Sequence, residues 1–156
     1  MGLVYVSMMR HALVLAFALL LPCLPAWAQD DRLGDLTVRA AWAAPSSLSR
    51  KTGSVYLTIA NGGAKDDRLI AAHTDAAEET ELRSHRTGEV VGRARRVSAV
   101  RLPASLTVVL KPGAEHVALI DVKAPLKAGD RLSLLLMFEK SGLLTVSVPV
   151  AATAPN

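Results

Sequence analysis

From Leu36 onward, apolar and polar positions alternate in short runs, with turn-forming residues between them. Leu36, Val38, Ala40 and Trp42 alternate with Thr37, Arg39 and Ala41, the period-two pattern of a half-buried strand. A Pro/Ser loop, Ala44 to Lys51, follows. Val55, Leu57 and Ile59 mark a second strand, closed by Asn61-Gly62-Gly63, and Asp67 to Ala72 a third. Glu78 to Glu81 has some helical character, but Thr80 and the run to His85 favour a strand. Arg86-Thr87-Gly88 reads as a turn, with the chain returning through Glu89 to Val91. Arg93, Arg95 and Arg96 read as a solvated edge, where charge discourages edge-to-edge pairing.

The second half repeats the pattern. Leu106, Val108 and Leu110 alternate, and Pro112-Gly113 turns the chain into a strand from His116 to Val122. A loop over 124–130 leads to Leu132, Leu134, Leu136 and Phe138, and Ser141-Gly142 turns into Leu144, Val146, Val148 and Val150. Short strands separated by turns, without a long helical pattern, predict an all-β antiparallel sandwich in one domain over 36–150. A loose polar leader (29–35) precedes it and a frayed tail (151–156) follows. The expected core is Leu36, Val38, Trp42, Val55, Leu57, Ile59, Leu69, Leu106, Val108, Leu110, Ile120, Leu132, Leu134, Leu136, Phe138, Val146 and Val148. Met137, in an apolar run, is expected to pack there too, and Asp66-Asp67 reads as a turn.

Residues 10–28 change the picture. One basic residue, an apolar stretch and Ala26-Trp27-Ala28 follow the plan of a secretory signal peptide, so residues 1–28 are expected to be removed on export. Pro22 and Pro25 interrupt the stretch, which is short for a membrane span, so no membrane insertion is expected after signal removal. Pro22 also precedes Cys23 where a lipid-attachment site usually carries a small residue. Cys23 is the chain's one cysteine, so the exported form has neither disulfide nor thiolate chemistry. The compartment this implies is a bacterial periplasm. The formal charge of +4 is scattered and aromatics are few, which argues against a nucleic-acid partner.

Phosphate loops and nucleophile motifs are absent, so no enzyme is expected. Three histidines follow the signal segment: His73, His85 and His116. His116 opens a strand, and Ala118 shares its face, so a His-x-ligand pair has only its first half here. Converging imidazoles suit Cu(II) or Zn(II), whereas Cu(I) prefers thioether or thiolate.

Ala41-Trp42, Gly53 to Leu57, Asn61-Gly62-Gly63, Asp67-Arg68-Leu69 and Glu81-Leu82 occur in an order shared with a known family. Leu110 to Gly113, His116, Pro125 to Asp130 and Phe138 to Gly142 continue it. Over residues 36–150 the chain resembles the periplasmic copper chaperones called PCuAC. The resemblance implies a cupredoxin-like Greek-key sandwich that holds Cu(I) and passes it towards cytochrome c oxidase assembly, with a respiratory-oxidase assembly protein as partner. The family's ligand motif is His, Met, then His-x-Met. Anchored on His116, it falls on Arg83, Ala94 and Ala118. A guanidinium only donates hydrogen bonds and alanine has no donor atom, so three of the four ligands are missing.

Two readings stay open. In one, His85 substitutes for the missing ligand and pairs with His116 as a metal site that suits Cu(II) better than Cu(I). In the other, the protein is a metal-free binding module that meets a protein partner through the cationic loop end, Arg83 and the Arg93–Arg96 cluster. The oligomeric state is not encoded in any pattern found.

Overall fold

The computed structural model describes residues 30–47, 49, 51–85 and 94–154. The expected signal peptide (1–28), the turn at 86–88, the return over 89–91 and Arg93 lie outside the described residues. Eleven strands occur among those described: β1 (Asp31–Leu33), β2 (Leu36–Ala43), β3 (Thr52–Asn61), β4 (Asp67–His73), β5 (Ala77–Ser84) and β6 (Arg95–Arg96), then β7 (Val100–Leu102), β8 (Thr107–Leu110), β9 (His116–Val122), β10 (Arg131–Phe138) and β11 (Gly142–Pro149). They form two sheets. The larger runs β1-β2-β3-β9-β5-β6, with β8 also on β3, and the smaller runs β11-β10-β4-β7. All the strand pairings are antiparallel; an isolated parallel bridge, Ala43 to Val150, links the sheets. The architecture is an all-β, cupredoxin-like curled sandwich.

Alternation explains most of the packing. Val55, Leu57 and Ile59 of β3, Val117 and Leu119 of β9, and Leu134, Leu136 and Phe138 of β10 meet between the sheets in one buried cluster. Each such side chain contributes about 1.5–3 kcal/mol by leaving water.

Four expected core positions behave differently. Trp42 is only half-buried, because β2 carries a bulge. Arg39 pairs with Thr58 but Trp42 pairs with Tyr56, so one extra residue is inserted near Ala40, whose φ is 50°. A bulge reverses the facing of everything after it. Ala43 therefore turns into the core and Trp42 turns out. Leu106 lies outside β8 and is exposed, and Val108 is half-buried at the core margin. Ile120 shares the face of His116 and Ala118, not that of Val117 and Leu119, and is likewise half-buried. Met137 is a further correction: it alternates with Leu136 and Phe138 and sits 39% exposed on the outer face of the small sheet.

Two short strands carry no legible period. The leader includes β1, which turns at Gly34 and pairs with β2, and Val100 to Leu102 forms the edge strand β7. Arg95 and Arg96 form an exposed edge strand, as expected. Asp67 is not a turn residue: it opens β4, is 4% exposed, and gathers the β10–β11 turn around its carboxylate.

Candidate functional site

The Pro112-Gly113 turn does not join two strands paired with each other. β8 and β9 both lie against β3, with Leu110 opposite Leu57 and Val117 opposite Val55. The residues between loop out. Gly113 has φ 77°, the Ala114 amide donates to the Lys111 carbonyl at 3.0 Å, and the Lys111 amide donates to the Glu115 carbonyl at 2.9 Å. This excursion delivers His116 as the first residue of β9, between β3 and β5.

The register then fixes its neighbours. Arg83 is directly opposite His116, and Glu81 is opposite Ala118, with Ser54 on the other flank. Residues i and i+2 share a face, so Arg83, His116 and Ala118 lie on one side of the sheet. Ala94 immediately precedes β6, whose Arg95 is opposite Ser84. The four positions implied by the copper-chaperone resemblance thus gather at one end of β5, β6 and β9, without their usual donors.

His85, one residue past β5, stacks on His116 with ring centroids 5.6 Å apart and planes inclined by 27°. Tyr56 flanks His116 at 6.1 Å, and the outward-turned Trp42 lies 4.8 Å from Tyr56. The bulge at Ala40 is what brings Trp42 into this row, which crosses β2, β3, β9 and the end of β5. The two histidines singled out from the sequence are together. His73 is not with them: it lies on β4 of the small sheet, exposed and 3.5 Å from Asp75.

His116 is 9% exposed rather than open to the loop side. Its Nδ1 lies 3.2 Å from the Ala114 carbonyl oxygen. A carbonyl only accepts, so Nδ1 carries the hydrogen and Nε2 keeps its lone pair. Burial pushes the His116 pKa below its usual value; the Ala114 carbonyl opposes this, and His85 and Arg83 reinforce it. The ring is held neutral, the form that ligates metal.

The surrounding charges are paired. Arg83 Nε donates to Glu81 at 2.7 Å, and Arg96 reaches Glu79 and Glu81 at 3.5 and 3.4 Å. Ser84 Oγ donates to Glu115 at 3.0 Å. Among the described residues, no three His, Cys, Asp or Glu side chains gather as a metal-holding group. The site therefore offers two imidazoles and no thioether.

Sequence reasoning missed the other polar centre. Asp67 accepts from the Arg68 amide (2.7 Å), the Lys140 and Ser141 amides (both 3.0 Å) and Ser141 Oγ (2.6 Å). Next to it, Arg68 and Glu139 form a two-pronged ion pair, with Nε to Oε2 at 2.6 Å. Asp67-Arg68 and Phe138 to Gly142 were both part of the shared texture, and their contact gives these two stretches a structural role.

Comparison with solved structures bears on the fold. The chain superimposes on the copper-bound PCuAC domain of PmoF2 with a TM-score of 0.70 and 22% identity, covering 80% of this chain and 99% of that one. The apo PCuAC domain of PmoF1 gives 0.69 and 27%, covering 80% and 100%. The protein thus has the PCuAC-type, cupredoxin-like fold. Among proteins known by sequence, a Leifsonia xyli subsp. xyli protein described as "Putative lipoprotein" is 34% identical over 134 residues, 81% of this chain and 77% of that one. Residues 36–150 match the family described as "Putative lipoprotein LpqE-like", and the chain belongs to that family.

Proposed function

We propose that the protein is an exported copper-handling protein of the copper-chaperone type, with His116 and His85 as its metal ligands and Cu(II) as the ion they suit. The stacked imidazole pair, with His116 Nε2 left unoccupied by the Ala114 contact, carries this reading. The copper-bound fold relative supports copper as the cargo, and the family's description as lipoproteins supports an exported, periplasmic location. Two imidazoles supply part of a Cu(II) coordination shell and leave the rest to oxygen donors. Delivery towards a respiratory-oxidase assembly protein is the partner role that the PCuAC resemblance suggests.

Trp42 provides the readout, since the chain from Gln29 onward contains no other tryptophan. Cu(II) is expected to quench its fluorescence saturably. His116→Ala should abolish the quench and His85→Ala weaken it, and binding should fade as pH drops through the lowered pKa of His116. A Cu(I) chelator should retain Cu(I) in competition. Tight Cu(I) binding that survives His116→Ala would place the site elsewhere.

A second reading is favoured by a separate observation: Arg83 stands opposite His116 and Ala118 two residues along its face, and neither side chain can ligate a metal. On that reading the same face is a metal-free module that contacts a protein through Arg83, Arg96 and the Trp42–Tyr56 pair. Absence of any Cu(II) quench would select it.

A further inference from the structure

The small sheet has an outer face that neither the core nor the imidazole site uses. Ile70 of β4, Met137 of β10 and Leu143 of β11 are 37%, 39% and 54% exposed. Met137 is paired with Leu143 on one side and Ala71 on the other, while Phe138 pairs with Leu69. Ile70 is therefore the extra residue of a bulge and is pushed out beside Met137. The three make one apolar row across three adjacent strands.

The border of this row is basic. Arg68 and Arg101 are opposite each other on β4 and β7, and among the described residues only Arg68 is answered, by Glu139. Lys140 donates to the Asp66 carbonyl and acts on Glu139, whereas Arg131, on the same face at the far end of β10, donates to the Ser147 hydroxyl and meets no carboxylate among the described residues. A second copy packed face to face would set like charges against one another, which disfavours self-association. An open, flat row of protruding apolar side chains within a basic border suits a planar anionic surface instead.

We infer that this outer face of the small sheet docks on an anionic membrane surface, with Ile70, Met137 and Leu143 entering the headgroup layer and Arg101, Arg131 and Lys140 meeting lipid phosphates. This is adsorption of a folded domain, without insertion of a chain segment. It rests on the exported location proposed above, which cell fractionation tests separately from lipid binding.

The chain from Gln29 onward serves as the test protein, because every described strand and the described buried cluster lie within it. It is expected to sediment with vesicles containing phosphatidylglycerol and to stay in solution with pure phosphatidylcholine, and high salt should release it. Ile70→Ser, Met137→Ser and Leu143→Ser together should lower binding at least tenfold, with the strand signature in circular dichroism unchanged. That chain has no cysteine, so Leu143→Cys takes a single environment-sensitive dye. Its emission should shift to the blue on phosphatidylglycerol vesicles, whereas a dye at Val109→Cys, exposed on the other sheet, should not move. No sedimentation with the anionic vesicles, equal shifts at both positions, or sedimentation indifferent to the triple substitution would overturn the inference. Displacement from vesicles by polyglutamate with an unshifted dye at Leu143→Cys would also overturn it, in favour of an acidic protein partner.

Discussion

Among the described residues two ionisable groups are buried, and they are treated in opposite ways. At the β4–β10 corner, Asp67 is surrounded by four donors, one side chain and three backbone amides. Burial alone would raise its pKa, but the Ser141, Arg68 and Lys140 hydrogen bonds outweigh it and hold the carboxyl below its usual value. At the β5–β9 end, His116 has a single hydrogen bond among the described residues, which leaves its second nitrogen without one there. Burial wins there and keeps the ring neutral. Both pKa values are lowered, yet one carboxylate is fixed as an ion and one imidazole is fixed uncharged. A polar group whose capacity is filled internally is an anchor. One left half-filled is available for chemistry.

The largest way to alter this contrast is to complete the imidazole site. Arg83→His, Ala94→Met and Ala118→Met together would place the resemblance's missing donors around His116, on a register that already gathers three of the four positions. Cu(I) affinity is expected to rise from none detectable to one that competes with a Cu(I) chelator, a change of several orders of magnitude. Competition titration reads it directly. Failure with the fold intact would show that the backbone has moved away from the geometry such a site needs.

Emptying the other centre comes next. Asp67→Ala would strand the Lys140 and Ser141 amides and the Ser141 hydroxyl in a buried corner, at a cost of about 2–4 kcal/mol. That rivals a core truncation such as Leu134→Ala, expected at about 2–5 kcal/mol. Urea midpoints would compare the two. If Asp67→Ala unfolds at the midpoint of the unmodified chain, the corner is not an anchor. The acid limb carries the same information. The folded pKa of Asp67 lies below the unfolded 3.8, so its contribution is complete above 3.8 and disappears as pH falls through the folded value. Asp67→Asn should flatten that limb.

This contrast was unequally legible in the sequence. Period-two alternation revealed β3 and β10, whose burial alternates along their length, while β9 was read from the Pro112-Gly113 turn and the β-rich run after it. Alternation could not reveal β1 or β7, which are three residues long. Nor could it reveal the bulge at Ala40, because a left-handed alanine carries no compositional mark, and that one residue decides which way Trp42 faces. Met137 was misplaced by the opposite failing: an apolar run hides the alternation within it, though the period itself puts residue 137 outside. His116 was singled out by the Pro112-Gly113 turn and the strand it opens, and His85 by the register that the resemblance supplied. Asp67 was missed because the donors that define it lie on residues 140 and 141, far along the chain, and no local spacing announces them.

The smallest expected effect is the pH dependence of the imidazole itself. In the unfolded chain His116 titrates near 6.5, and in the fold its pKa is lower. Below about 6.5 the unfolded state therefore binds a proton that the folded state refuses. Stability should be unaffected by His116 above that pH, decline as pH falls from it, and stop declining once pH is below the folded pKa. The sign is that of a group destabilising in acid, and its decline begins near 6.5 whereas that of Asp67 begins at 3.8, so the two onsets are separable in one pH series of thermal melts. His116→Phe keeps a ring against Tyr56 and His85 and removes the titration. It should abolish the decline below 6.5 and leave the acid limb of Asp67 in place. A decline that persists in His116→Phe would mean that another group carries it, and the neutral, half-satisfied imidazole would lose its strongest support.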